Sequence, residues 1–154
     1  MNGFTHDLRH HPTLLGAFLL GIGAIGMLDG IIFHQLLQWH SVNMHTDRQH
    51  QIMSDGLFHL AVTVVMIWGA VVLWNSGRAD EPGARRLFLS GLFTGAGLFN
   101  FVEGIINHHV LQLHHVHPGE YQTAFDLAYD ASGLLMLFAG LALYRSSRGR
   151  IRAR

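Results

Sequence analysis

Apolar residues fill four stretches of this chain, at about 13–39, 55–74, 86–113 and 121–144, and polar residues collect between them. At about 1.5 Å of rise per residue, each stretch is long enough to cross the hydrocarbon core of a bilayer. Segments 14–28 and 57–74 run with almost no charge, the polarity of membrane helices rather than of a soluble core. The pattern predicts four transmembrane helices. Residues 75–83 read as a loop, His117, Pro118 and Gly119 as a turn, and 41–54 as a polar connection. Residues 1–12 are too polar for a secretory signal, and His6, His10 and His11 are expected in a solvated tail ahead of a retained first helix.

The polar positions repeat. Residues 29–40 align without gaps on 103–114, sharing the skeleton acid-Gly-Ile-Ile-x-His-x-x-Leu-Gln-x-His. Past it, Asp55 and His59 open the second apolar stretch as Asp126 and Asp130 open the fourth. The expected fold is all-α. It is a four-transmembrane-helix bundle of two duplicated helical hairpins, repeat 1 at about 13–75 and repeat 2 at about 86–145. The hairpins would be related by a pseudo-two-fold along the membrane normal, in one membrane domain over 1–154. Gly16, Gly21, Gly23 and Gly26 recur as Gly91, Gly95 and Gly97, which suits close helix packing.

Charge sets the orientation. All ten basic residues other than histidine are arginine, and the formal net charge is zero, which gives no support for nucleic-acid binding. Arg9, the Arg78, Arg85 and Arg86 group, and five arginines from Arg145 to Arg154 fall on one side; the opposite loops hold only Arg48. By the positive-inside rule both termini and the middle loop are cytoplasmic, and the histidine-rich ends face the periplasm or exterior. A bacterial inner membrane is the expected location and the bilayer a certain partner.

Cysteine is absent, which excludes disulfides, thiolate metal sites and Cys nucleophiles. Thirteen histidines and ten carboxylates remain. Counting helix rise upward from the cytoplasmic ends puts Asp29, His59, Glu103 and Asp130 at one level, about 22–24 Å up. His34, Asp55, His108 and Asp126 form a second level at about 28–32 Å. Gln38, His40, Gln112 and His114 would lie at the outer mouth, with His115 in the same cluster, as second-shell groups or an outer site. Carboxylates in lipid cost several kcal/mol unless paired, protonated or bound to a cation, and no arginine sits at either level. The eight inner residues are therefore the expected metal ligands, as in helical bundles that build di-metal sites.

One spacing resists a regular helix. Asp29 to His34, and Glu103 to His108, are five residues apart, about 140° of rotation. A π-bulge near Gly30 and Gly104 would turn both groups of each pair inward.

Nitrogen and oxygen donors suit transition metals, more than one ion given the ligand number, with copper or iron favoured and zinc next. A b-type haem between His34 and His108 fits poorly beside the carboxylates. The leading reading is a membrane metalloprotein with a multinuclear site in oxidation–reduction, taking a quinol, oxygen or a lipid-phase substrate. The alternative is metal handling as receptor, chaperone or transporter; transport would need a homo-oligomer. Zinc-dependent hydrolysis ranks lower. No residue is marked as catalytic.

The runs from Asp29 to His40, the Asp55-Gly56-Leu57-Phe58-His59 box, and Leu98, Phe99, Asn100, Glu103, Gly104, Asn107, His108 and His109 carry a resemblance. They resemble an uncharacterised family of small bacterial four-helix inner-membrane proteins, a domain of unknown function. The resemblance covers about 14–144, implies membrane location and fold, and carries over no catalytic residue.

Overall fold

The computed structural model describes residues 2–77 and 81–152. Arg78 and Arg154, two of the arginines behind the topology reading, lie outside the described residues. The described residues are helical and contain no strand. They comprise α1 (Asn2–His10), α2 (Pro12–Asp29), α3 (Arg48–Ser76), α4 (Ala84–Gly104) and α5 (Gln122–Arg152). Two π-helical segments, Gly30–Leu36 and Ile105–Val110, continue α2 and α4 without a break. Among the described residues four helices are long and apolar enough to cross a membrane: Pro12–Leu36, Arg48–Ser76, Ala84–Val110 and Gln122–Ser147.

The spans are not equivalent. In their most apolar windows, 39% of α2 and 44% of α4 are buried, against 11% of α3 and 22% of α5. α2 and α4 pack on each other at the centre, α3 leans on α2, and α5 on α4. Small residues set these contacts. Gly16 and Gly69 let α2 and α3 meet backbone to backbone, and Gly97 and Gly133 do the same for α4 and α5.

Two boundaries differ from the hydropathy pattern. α3 starts at Arg48, well before Asp55, because the Asp47 carboxylate accepts the Gln49 and His50 N–H groups at 2.9 and 3.1 Å. The N-terminal stretch expected as a solvated tail is helical over Asn2–His10. Phe4 and Leu8, one turn apart, pack on the Leu14, Leu87 and Tyr144 cluster, and Tyr144 donates a hydrogen bond to Asp7 at 2.6 Å.

Candidate metal centre

The π-helical turns do the geometric work that the five-residue spacing called for. In each, i→i+5 bonding widens the turn, as when Leu37 N–H donates to Ile32 O at 2.8 Å and Leu111 N–H to Ile106 O at 2.7 Å. Residues five apart then share a face. Just beyond, Gln38 (φ 51°) and Gln112 (φ 50°) adopt the left-handed conformation that non-glycine residues rarely take. The chain reverses there and folds back over its own helix end. Two groups result: Asp29, His34 and His40, and Glu103, His108 and His114. Within each group one ligand atom per residue lies within 4.8 Å of the others. His40 and His114 are 3% exposed, so they close the site from above rather than line an open mouth.

Two of the imidazoles, His40 and His114, are held by their Nδ1 atoms. His40 Nδ1 donates to Val116 O at 2.9 Å, and His114 Nδ1 to Val42 O at 3.0 Å. A carbonyl only accepts, so each Nδ1 carries the proton and each Nε2 offers a lone pair. His34 Nδ1 faces Asp55 Oδ1 at 3.2 Å, and His108 Nδ1 faces Asp126 Oδ1 at 3.6 Å. Both aspartates are fixed in turn, Asp55 by the Val42 N–H at 2.8 Å and Asp126 by the Val116 N–H at 2.9 Å. Outer acceptors that orient imidazoles in this way are the usual surroundings of metal-binding histidines.

The inward atoms lack partners. His34 Nε2, His40 Nε2, His59 Nε2, His114 Nε2, Glu103 Oε2 and Asp130 Oδ1 are buried and accept or donate no hydrogen bond. His34 Nε2 stands 3.5 Å from Asp29 Oδ2, and His114 Nε2 3.2 Å from Glu103 Oε1. Buried polar atoms left in this way cost free energy unless something charged or polar lies between them. Carboxylate oxygens and imidazole nitrogens buried together in this way fit a cation. The two groups adjoin: His40 and His114 stack with ring centroids 4.5 Å apart and planes 4° from parallel. Burial pushes His40 down to about 3, helped by the neighbouring His114 and His34, so it is a neutral imidazole at ordinary pH. Burial pulls His114 the same way, but the facing Glu103 carboxylate outweighs it and holds His114 above its usual value. Without a metal ion, a proton on His114 would be the positive charge this acidic pocket lacks.

The family described as "Predicted membrane protein (DUF2243)" matches residues 16–147, a span that contains both groups. The chain belongs to that family. No curated protein and no solved structure matches it.

In this DUF2243 protein the remaining sequence-predicted residues surround the two groups. Asp55 and Asp126 face His34 and His108, as above, and His115 Nδ1 donates to Asp126 Oδ2 at 2.7 Å. His59 and Asp130 approach from α3 and α5 through gaps left by glycine: a side chain at Gly30 would collide with His59 Nε2, and one at Gly104 with Asp130 Oδ1. Asp130 Oδ2 accepts from His109 Nε2 at 2.7 Å. The Gln38 and Gln112 side chains are exposed; these residues matter for the chain reversal. Nothing in the sequence pattern singled out Tyr129, whose buried hydroxyl lies close to Asp29 and Glu103 but is aligned for a hydrogen bond with neither. Asn107, part of the motif that carries the family resemblance, donates its Nδ2 hydrogen to Glu103 Oε1 at 2.9 Å.

Proposed function

We propose that this membrane protein is a metalloprotein in which two neighbouring groups, Asp29–His34–His40 and Glu103–His108–His114, each hold a transition-metal ion. The observation that carries this reading is the set of oriented imidazoles: Nδ1 is turned toward an acceptor and Nε2 points at a carboxylate with no donor between. Asp55, Asp126, His59 and Asp130 surround the two groups, close enough to orient ligands or to supply further ones. Two histidines and one carboxylate per ion is the donor set of non-haem iron sites with open positions, and it also serves catalytic zinc. Iron or copper, held in two adjoining sites, would supply one-electron chemistry, so an oxidoreductase is the favoured activity. A quinol, oxygen or another lipid-phase molecule would be the substrate.

The corresponding π-helical turns, left-handed glutamines and crossed carbonyl contacts support a duplicated hairpin with a pseudo-two-fold axis inside a single membrane domain. Arginine placement supports the bacterial inner membrane, with the termini in the cytoplasm and the metal ions toward the periplasm. A second reading, metal handling, draws on His109 and His115, half-exposed side chains that lead from the surface to Asp130 and Asp126.

Elemental analysis of the purified protein tests the proposal, with paramagnetic resonance to identify the ion. Two equivalents of iron or copper are expected. His34→Ala and His108→Ala should each remove about one equivalent, weakening retention by more than the roughly 10–100-fold typical of outer-shell changes. Full occupancy in both variants would overturn the ligand assignment; stoichiometric zinc alone would overturn the redox reading.

A further inference from the structure

The centre has a side entrance. A cavity of about 340 Å³ lies between α2 and α5, walled by Ile25, Leu28, Ile32, Phe33, Phe125 and Ala128. Its polar end is Asp29, Tyr129 and Ser132, with Asn100 behind them. Asn100 Nδ2 donates to Ser132 Oγ and to the Tyr129 carbonyl, and Ser132 Oγ donates to that same carbonyl, at 2.7–3.1 Å. The Tyr129 hydroxyl has no such partner, although Tyr129 is only 9% exposed. Leu28, Ile32 and Ala128 are exposed on the rim, within helices of transmembrane length, so this rim faces lipid. The cavity therefore joins the bilayer to a proposed metal ligand.

The corresponding positions between α3 and α4 show why the cavity is one-sided. Ile25 aligns with Phe99, Ala128 with Leu57 and Tyr129 with Phe58. There, the rings of Phe58 and Phe99 pack with centroids 6.3 Å apart, occupying the place of the cavity with aromatic carbon. On the open side smaller residues leave the space, and the exchange of Phe for Tyr adds a hydroxyl.

We propose that this cleft binds a benzoquinol-class molecule from the lipid phase, with its hydroxylated ring at Asp29 and Tyr129 and its apolar tail between α2 and α5. The chemistry selects the class. Asp29 is an acceptor, so the head must donate; Tyr129 Oη both donates and accepts, which suits a second hydroxyl interaction. Asp29 with Glu103 nearby repels a phosphodiester, which disfavours phospholipid heads. The volume lies at the small end of ligand pockets, room for a single ring and the start of a chain. Binding at the cleft stands on the cavity, while its role as the substrate site rests on the metal reading above.

The test is photolabelling in nanodiscs with an azido-benzoquinol carrying a decyl chain. Labels are expected on peptides that contain Leu28 to Phe33 and Phe125 to Ser132. Ile25→Phe with Ala128→Leu, which copies the filled side, should reduce labelling about tenfold or more while helicity and bound metal stay at wild-type levels. Tyr129→Phe should reduce it about threefold. Excess unlabelled decyl-benzoquinol should compete, and phosphatidylglycerol should not. Labels spread evenly over this cleft and the corresponding α3–α4 side, competition by the phospholipid, or an unaltered double variant would each overturn the proposal. Labelling is run in parallel on metal-stripped protein. Site-selective labelling of a protein that binds no metal would sink the metal reading and leave the cleft. Stoichiometric metal without selective labelling would do the reverse.

Discussion

The two hairpins carry one skeleton and differ in what surrounds it. In both, a π-helical turn and a left-handed glutamine bring an acid and two histidines together. Around the first triad the matching positions lack the second hairpin's extra imidazoles and amide: Phe33 stands where it has Asn107, Gln35 where it has His109, and Ser41 where it has His115. The second triad is wired to polar partners. Asn107 holds Glu103, His109 meets Asp130 and His115 meets Asp126. Asp29, one methylene shorter than Glu103 and without an asparagine clamp, instead lines the lipid-side cavity. The contrast teaches that ligand geometry was kept while access diverged. One side opens into an apolar cleft, and the other is flanked by partly exposed histidines.

That contrast can be broken most severely at the outer-shell aspartates. Asp55→Asn should weaken metal retention by the first triad, and Asp126→Asn by the second, each about 10–100-fold, because His34 or His108 loses the acceptor that orients it. Metal titration read by atomic absorption checks this. If either change empties both sites equally, the triads are not separable and the comparison fails.

Acid should distinguish the triads more gently. A metal ion needs neutral imidazole, so a ligand with a raised pKa loses metal first as pH falls. His114 lies above its usual value and His40 near 3, so the Glu103–His108–His114 site is expected to empty at the higher pH. Stepwise dialysis with metal analysis should show two releases, the second triad leading. A single release, or the reverse order, would count against the electrostatic contrast.

The smallest effect concerns how the flanking helices begin. α3 has a side-chain cap in Asp47, whereas the turn into α5 uses Gly119 (φ 128°), whose carbonyl accepts the Gln122 N–H at 3.2 Å. Asp47→Ala should lower the thermal midpoint by about 2–4 °C and leave metal content unchanged. The His50 and Gln49 N–H groups hold the Asp47 carboxyl below its usual value. Its contribution is thus present above the unfolded-state value and fades only as pH drops through the lowered one. A midpoint that does not move would show that the first turn of α3 adds nothing.

Much of this was legible from residue order. Length and hydropathy mark four spans, and the five-residue acid-to-histidine spacing, incompatible with one face of a regular helix, points to π-helical turns at Gly30 and Gly104. The third member of each triad was not legible. Counting rise along a straight helix lifts His40 and His114 to an outer mouth, and only the left-handed Gln38 and Gln112 reveal that the chain doubles back. The start of α3 was hidden for a similar reason: its first turn is polar, and hydropathy registers only the apolar remainder. α1 escaped notice because two residues, Phe4 and Leu8, are its whole apolar stripe. Tyr129 could have been found only by aligning it with Phe58 and asking what one added oxygen would do.

The crossed contacts, His40 to the Val116 carbonyl and His114 to the Val42 carbonyl, have a consequence for assembly. Each half of the protein supplies the peptide oxygen that sets the tautomer of the other half's last histidine. A chain severed between Ser76 and Ala84 would yield two pieces, each with its own acid and histidines but neither able to fix the ring of its own His40 or His114. The halves become competent only in each other's company.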